Sequence, residues 1–224
     1  MKIVTKIREL VVDALFLALL ILFTFVPYLG YIQIVPGVLT ITTMHLLVLI
    51  GASLFGWKKG LLYGFFFGIS SLIKAATIGA ANPVDFIYVN PLISVLPRVL
   101  FGLFAGSMFD FAKKRLSFKQ FGFVLPFIAI CATLIHSILT LGSLYIFGIL
   151  DIFKISEALG LSEFCKQIQQ TGFLVTLGLV TLFGILGEMA ASALIVTPSF
   201  FALRTIPFIK AEDSKYKVVI NSSK

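Results

Sequence analysis

Between Phe123 and Ile149 the chain places no Asp, Glu, Lys or Arg. A helix needs about 20 predominantly apolar residues to cross the ~30 Å hydrocarbon layer of a bilayer, so this one run is long enough. Other apolar runs cover about Leu10 to Val26, Met44 to Phe55, Gly60 to Thr77, Leu92 to Phe111 and Gly172 to Ile195. Hydrophobic residues make up 59% of the chain and charged residues 12%. Soluble domains carry roughly 45–50% and 25%. In water such a chain would expose a large apolar area, so the bilayer is the fitting solvent. The expected fold is all-α: a polytopic bundle of six transmembrane helices over residues 1–210, with a loose tail over 211–224.

The charges agree with that map. Fourteen of the 18 basic residues fall in the N-terminal segment, two alternate connections (Lys58, Lys59; Lys113, Lys114, Arg115, Lys119) and the tail. The positive-inside rule then places both termini in the cytoplasm. The net charge of +8 is spread over these short clusters, which argues against a nucleic-acid partner. Cys131 and Cys165 are too few for a disulfide framework, and Cys131 reads as a small hydrophobe. The first run lacks a small-x-small cleavage site and reads as retained. No Gly-x-x-x-x-Gly-Lys-Ser/Thr phosphate loop occurs, so ATP chemistry would have to come from partners.

Small residues mark close helix contacts. Gly60, Gly64 and Gly68 repeat every four residues and line one helix face, as do Gly102 and Gly106. Ala14 and Ala18 share a face of the first helix. Asp13 falls near the interface, where its charge stays wet. The uncharged connection from Pro27 to Thr43 turns at Pro36-Gly37, and its stretch Gln33–Leu39 is either extended or dips over a site. The second helix, at twelve residues, spans only ~18 Å. It must tilt, begin in the preceding loop or lie buried in the bundle. Asp151 to Gln170 is the longest outer connection.

The candidate site residues are those whose polarity is expensive at their depth. Lys74, Arg98 and Glu188 carry charge within apolar runs, where they pair, snorkel or line a cavity. Asp85 is a candidate partner for either cation. His45 follows a Thr-rich turn and either binds a ligand or fixes the helix start. His136 is isolated in the fifth run, with Thr140 on the same side. Neither histidine has the neighbours of a metal site, and no cofactor is expected. Asn82 and Asn90 precede prolines, a common turn or cap position, and are equally able to meet a ligand. Tyr88 and Tyr31 are able to wall a pocket.

The stretch TTMHLLVLIGASLFGWKKGLLYGFFFGISSLIKA resembles the second and third helices of substrate-binding S components of energy-coupling-factor (ECF) transporters. NPLISVLPRVLFGLFAG and GEMAASALIVTP continue the likeness, which is most similar to the pantothenate-type subgroup. The resemblance implies a six-helix subunit that captures a vitamin from outside and hydrolyses nothing. It also implies partners: a transmembrane T subunit and two ATPases, with the Ala-x-x-x-Ala face of the first helix, here Ala14 and Ala18, against the T subunit. Pantothenate carries one carboxylate, for which Arg98 offers a bidentate donor and Lys74 a point charge. Two rivals stay open: an S component for riboflavin, folate or a pyridoxine-like compound, and a non-transport membrane scaffold.

Overall fold

A computed structural model describes residues 2–35, 39–77, 87–148, 172–207 and 209. Helix α1 (Lys2–Phe25) leads into an antiparallel hairpin of β1 (Tyr31–Val35) and β2 (Leu39–Thr42), then α2 (Met44–Phe55) and α3 (Trp57–Thr77). A single 3-10 turn (Ile87–Val89) precedes the short α4 (Pro91–Ser94) and α5 (Leu96–Arg115). Helix α6 (Phe118–Ser143) ends in a π turn over Leu144–Gly148, and α7 (Gly172–Arg204) follows. Asn82, Asp85, Cys165, the Asp151–Gln170 connection and the tail past Lys210 lie outside the described residues.

Four stretches among the described residues are long and apolar enough to cross a membrane: Trp57–Thr77, Pro91–Arg115, Phe118–Phe147 and Thr181–Arg204. Helix α2 is too short to join them, and its surroundings explain why it is apolar on every side. Met44, Leu46, Val48, Leu49, Ile50 and Leu54 are all buried, as expected of a helix enclosed by others rather than facing lipid. The extended alternative for Gln33–Leu39 holds in part. β1 and β2 pair from Tyr31↔Thr42 to Val35↔Leu39, with an irregularity between Gln33 and Val35.

The glycine faces bring α3 and α5 into backbone contact. A Cβ added at Gly68 would lie 2.7 Å from Val95 Cα, and one at Gly64 would lie 3.2 Å from Gly102 Cα. Only hydrogen fits there, so the two helices approach as the four-residue spacing predicts. Across the bundle, Glu188 of α7 reaches the end of β2.

Several expected boundaries and environments change. The first helix begins at Lys2, so its basic residues lie on it rather than before it. The fourth starts at Pro91, breaks at Val95 ahead of Pro97 and continues to Arg115; the sixth continues to Arg204. Lys113, expected in a basic connection, lies on α5 and is buried, as is Asp110. Asp110 Oδ2 accepts from Trp57 N at 3.0 Å, at the N-terminus of α3. Lys113 Nζ donates to Leu54 O at 3.0 Å, at the C-terminus of α2. Each charge opposes the helix end whose partial charge attracts it. Asp13 is not simply solvated: it pairs with Lys59 and accepts from Tyr63 Oη at 2.8 Å, joining α1 to α3. Cys131 is exposed on the outer face of α6.

Candidate functional site

His45 is the second residue of α2, three positions past Thr42, where the hairpin ends. Thr42 Oγ1 lies 3.4 Å from His45 Nδ1. The ring is fully buried and stacks on His136 of α6, with centroids 5.4 Å apart and planes at 15°. Phe101 of α5 closes on the pair, 4.7 Å from His136 and 6.5 Å from His45. The two histidines, read separately from the sequence, therefore form one group.

Arg98 enters from α5, just past the break at Val95 and Pro97. It is 5% exposed. Its Nη1 donates to Ile93 O at 2.6 Å, and its guanidinium carbon sits 5.5 Å from the Phe67 ring and 5.3 Å from the Tyr88 ring. Phe67 is also 5.8 Å from His136, so one ring borders both the cation and the histidine pair. Among the described residues no carboxylate lies within ion-pairing distance of Arg98.

Four atoms of this region are buried without a hydrogen-bond partner among the described residues: His45 Nε2, His136 Nδ1, Arg98 Nε and Thr140 Oγ1. Each such atom costs about 1–3 kcal/mol, and native structures keep few of them. Gathered on α2, α5 and α6, they make a polar cluster walled by Phe67, Phe101 and Tyr88. Such a cluster suits a small ligand with an anionic group and neutral polar groups.

The other predicted residues fall around it in different ways. Glu188 is 8% exposed and accepts from Thr42 N at 2.7 Å and Thr42 Oγ1 at 3.1 Å, so it ties α7 to the hairpin. Lys74 Nζ lies 3.4 Å from the centre of the Tyr31 ring, and Tyr31 Oη shares a hydrogen bond of 2.8 Å with Ser71 Oγ. The cation thus packs on the hairpin. Asn90 caps α4: its Oδ1 accepts from Leu92 N at 3.0 Å. Ala14 and Ala18 are exposed on α1, on a face that also bares Leu15 and Leu22. His136, read from the sequence only as an isolated polar residue of the fifth run, stands here beside His45. Thr42, Phe67 and Phe101 gave no comparable signal.

No group of three His, Cys, Asp or Glu able to hold a metal ion occurs among the described residues. A largely helical chain with four long apolar helices among its described residues and a buried polar cluster defines a multi-spanning membrane-type protein. Residues 8–200 match the family described as the ECF transporter substrate-specific component, and the chain belongs to that family. The family is that of a transporter component. The pantothenate transporter PanT of Leuconostoc mesenteroides subsp. mesenteroides is 34% identical over 121 residues, 53% of this chain and 57% of that relative. The pantothenic acid transporter PanT of Lactococcus lactis subsp. cremoris is 26% identical over 161 residues, 64% of this chain and 75% of that relative. The match to the first thus spans little more than half of that relative's length.

Proposed function

We propose that this chain is the substrate-capturing subunit of an ECF-type importer and that its ligand is pantothenate. The observation that carries the reading is Arg98. Burying a guanidinium costs several kcal/mol unless an anion compensates it. Its bond to Ile93 O and the two flanking rings supply no opposite charge. A ligand carboxylate supplies that charge, and Arg98 Nε is open to it. The relatives named for pantothenate, which has one carboxylate, support the choice of vitamin.

In this reading all six helices lie in the membrane with both termini in the cytoplasm. The ligand is captured from outside beneath the hairpin. The loaded subunit then docks through Ala14 and Ala18 onto a transmembrane T subunit, and two partner ATPases drive release inside. The ligand undergoes no chemical change. Asn82, Asn90, Lys74 and Glu188 shape or border the outer part of the pocket.

The test is isothermal titration of the detergent-purified protein, stripped of endogenous ligand, against a vitamin panel. Submicromolar binding of pantothenate alone is the expected result. Tight binding of riboflavin, folate or a pyridoxine-like compound with silence for pantothenate would discard the choice of vitamin. Indifference to every compound would discard capture altogether.

A further inference from the structure

Resting on the pantothenate reading, we propose that the stacked pair His45–His136, with Thr140 one turn along α6, is a second pole of the same site. It reads the hydroxyl and amide groups of the ligand while Arg98 holds the carboxylate. The pair is buried, His45 wholly and His136 to 4% exposure, and each ring keeps one nitrogen without a partner among the described residues. Thr140 Oγ1 is buried and open as well.

The neighbouring hydroxyls on α6 show that this is not the ordinary state of a polar side chain there. Thr133 donates to Ala129 O at 2.9 Å and Ser137 to Thr133 O at 3.2 Å, each satisfied on its own helix. Thr140 has the same option and leaves its oxygen open.

The two poles differ in chemistry. A guanidinium only donates, which suits a carboxylate. A neutral imidazole offers one donor and one acceptor, and a threonine hydroxyl does both, which suits ligand hydroxyls and amides. Phe67 borders both, 5.5 Å from the Arg98 guanidinium carbon and 5.8 Å from the His136 ring centre. The arrangement takes a small, flexible monocarboxylate whose neutral hydrogen-bonding groups lie away from its charge. A simple fatty or short-chain acid would satisfy one pole and leave the other unpaired, and so would be rejected.

The experiment is titration calorimetry on the full-length purified protein with three probes: pantothenate, its analogue lacking both hydroxyls, and panthenol, which lacks the carboxylate. The variants are His136→Phe, which keeps an aromatic ring on the stack, Thr140→Val, and Arg98→Gln. Wild type should prefer pantothenate to the dehydroxylated analogue by about tenfold or more. His136→Phe should lose most of that preference while holding the dehydroxylated analogue within about threefold of wild type. Arg98→Gln should instead lose the preference for pantothenate over panthenol. Thr140→Val, a nearly isosteric change, carries the test if His136→Phe does not fold. Retention of the full hydroxyl preference in the folded variants at positions 136 and 140 overturns the second pole alone. A wild-type protein silent to pantothenate overturns the vitamin reading, and the pole assignment with it.

Discussion

Gly68→Ala should weaken ligand binding although position 68 touches no ligand in the proposed pocket. The new methyl would sit 2.7 Å from Val95 Cα, 3.1 Å from Val95 O and 3.2 Å from Ser94 O, all backbone atoms that no rotamer change can clear. Carbon atoms rest at about 3.5–4.0 Å, so α3 must retreat from the α4–α5 junction by roughly 1 Å. That junction carries Ile93, whose carbonyl oxygen anchors Arg98 Nη1 at 2.6 Å, and Phe67 beside Gly68 faces the same guanidinium. A binding constellation tolerates about 0.5 Å. Overpacking costs about 1–3 kcal/mol, and replacing a mid-helix Gly by Ala returns up to about 1 kcal/mol. Net stability should therefore fall by only about 0–2 kcal/mol, while pantothenate affinity should fall about tenfold or more. Gly142→Ala is the control: a Cβ there meets nothing within 4 Å, so it keeps the propensity gain and no clash. Calorimetry and thermal melts of both variants in one detergent decide the matter. Wild-type affinity in Gly68→Ala, with a melting temperature at or above that of Gly142→Ala, would refute the idea that this contact sets the position of Arg98.

Three further outcomes follow from the same geometry. Arg98→Ala should lower pantothenate affinity by roughly a hundredfold, the cost of a lost charge-assisted hydrogen-bond pair, and unchanged affinity by calorimetry removes it from the pocket. Ala14→Trp and Ala18→Trp alter an exposed face, so ligand affinity should persist while co-purification with the T subunit and uptake are lost; normal uptake in both sinks the docking face. Asp13→Asn leaves Lys59 without its partner and weakens the acceptor for Tyr63, so melts should show a loss of about 1–3 kcal/mol with ligand affinity unchanged. Equal stability would show that the α1–α3 tie contributes nothing.

What could be read from the sequence was what local spacing encodes. Gly60, Gly64 and Gly68 repeat every four residues, as do Gly102 and Gly106, and the close packing that this spacing predicts is found between α3 and α5. The short second helix was likewise a local fact. Pairings across the bundle were not legible. His45 and His136 meet because α2 is enclosed between α5 and α6, and nothing near either residue in sequence encodes that stack. Glu188 finds Thr42 across 146 positions and accepts from a backbone amide, a partner no side-chain pattern announces. Lys113 was misplaced for a further reason. Charge near the end of an apolar run reads as the start of a loop, but the ends of two neighbouring helices offered Lys113 and Asp110 a buried partner.

Those helix-end contacts give the molecule two unlike ends. Where α2 turns through Gly56 into α3, Lys113 holds the carbonyl end of one helix and Asp110 the amide end of the next, while Asp13 fastens α1 to α3. At the opposite end of α2 the hairpin meets the bundle through Thr42 on Glu188, Tyr31 on Ser71 and Lys74 over the Tyr31 ring. The unpartnered atoms of His45, His136 and Arg98 lie toward this second end, because His45 stands at the start of α2 and Arg98 near the start of α5. A ligand entering there would replace missing hydrogen bonds near the hairpin and leave the braced end unchanged. The proposed docking face at Ala14 and Ala18 lies on α1, which Asp13 ties to α3 at the braced end.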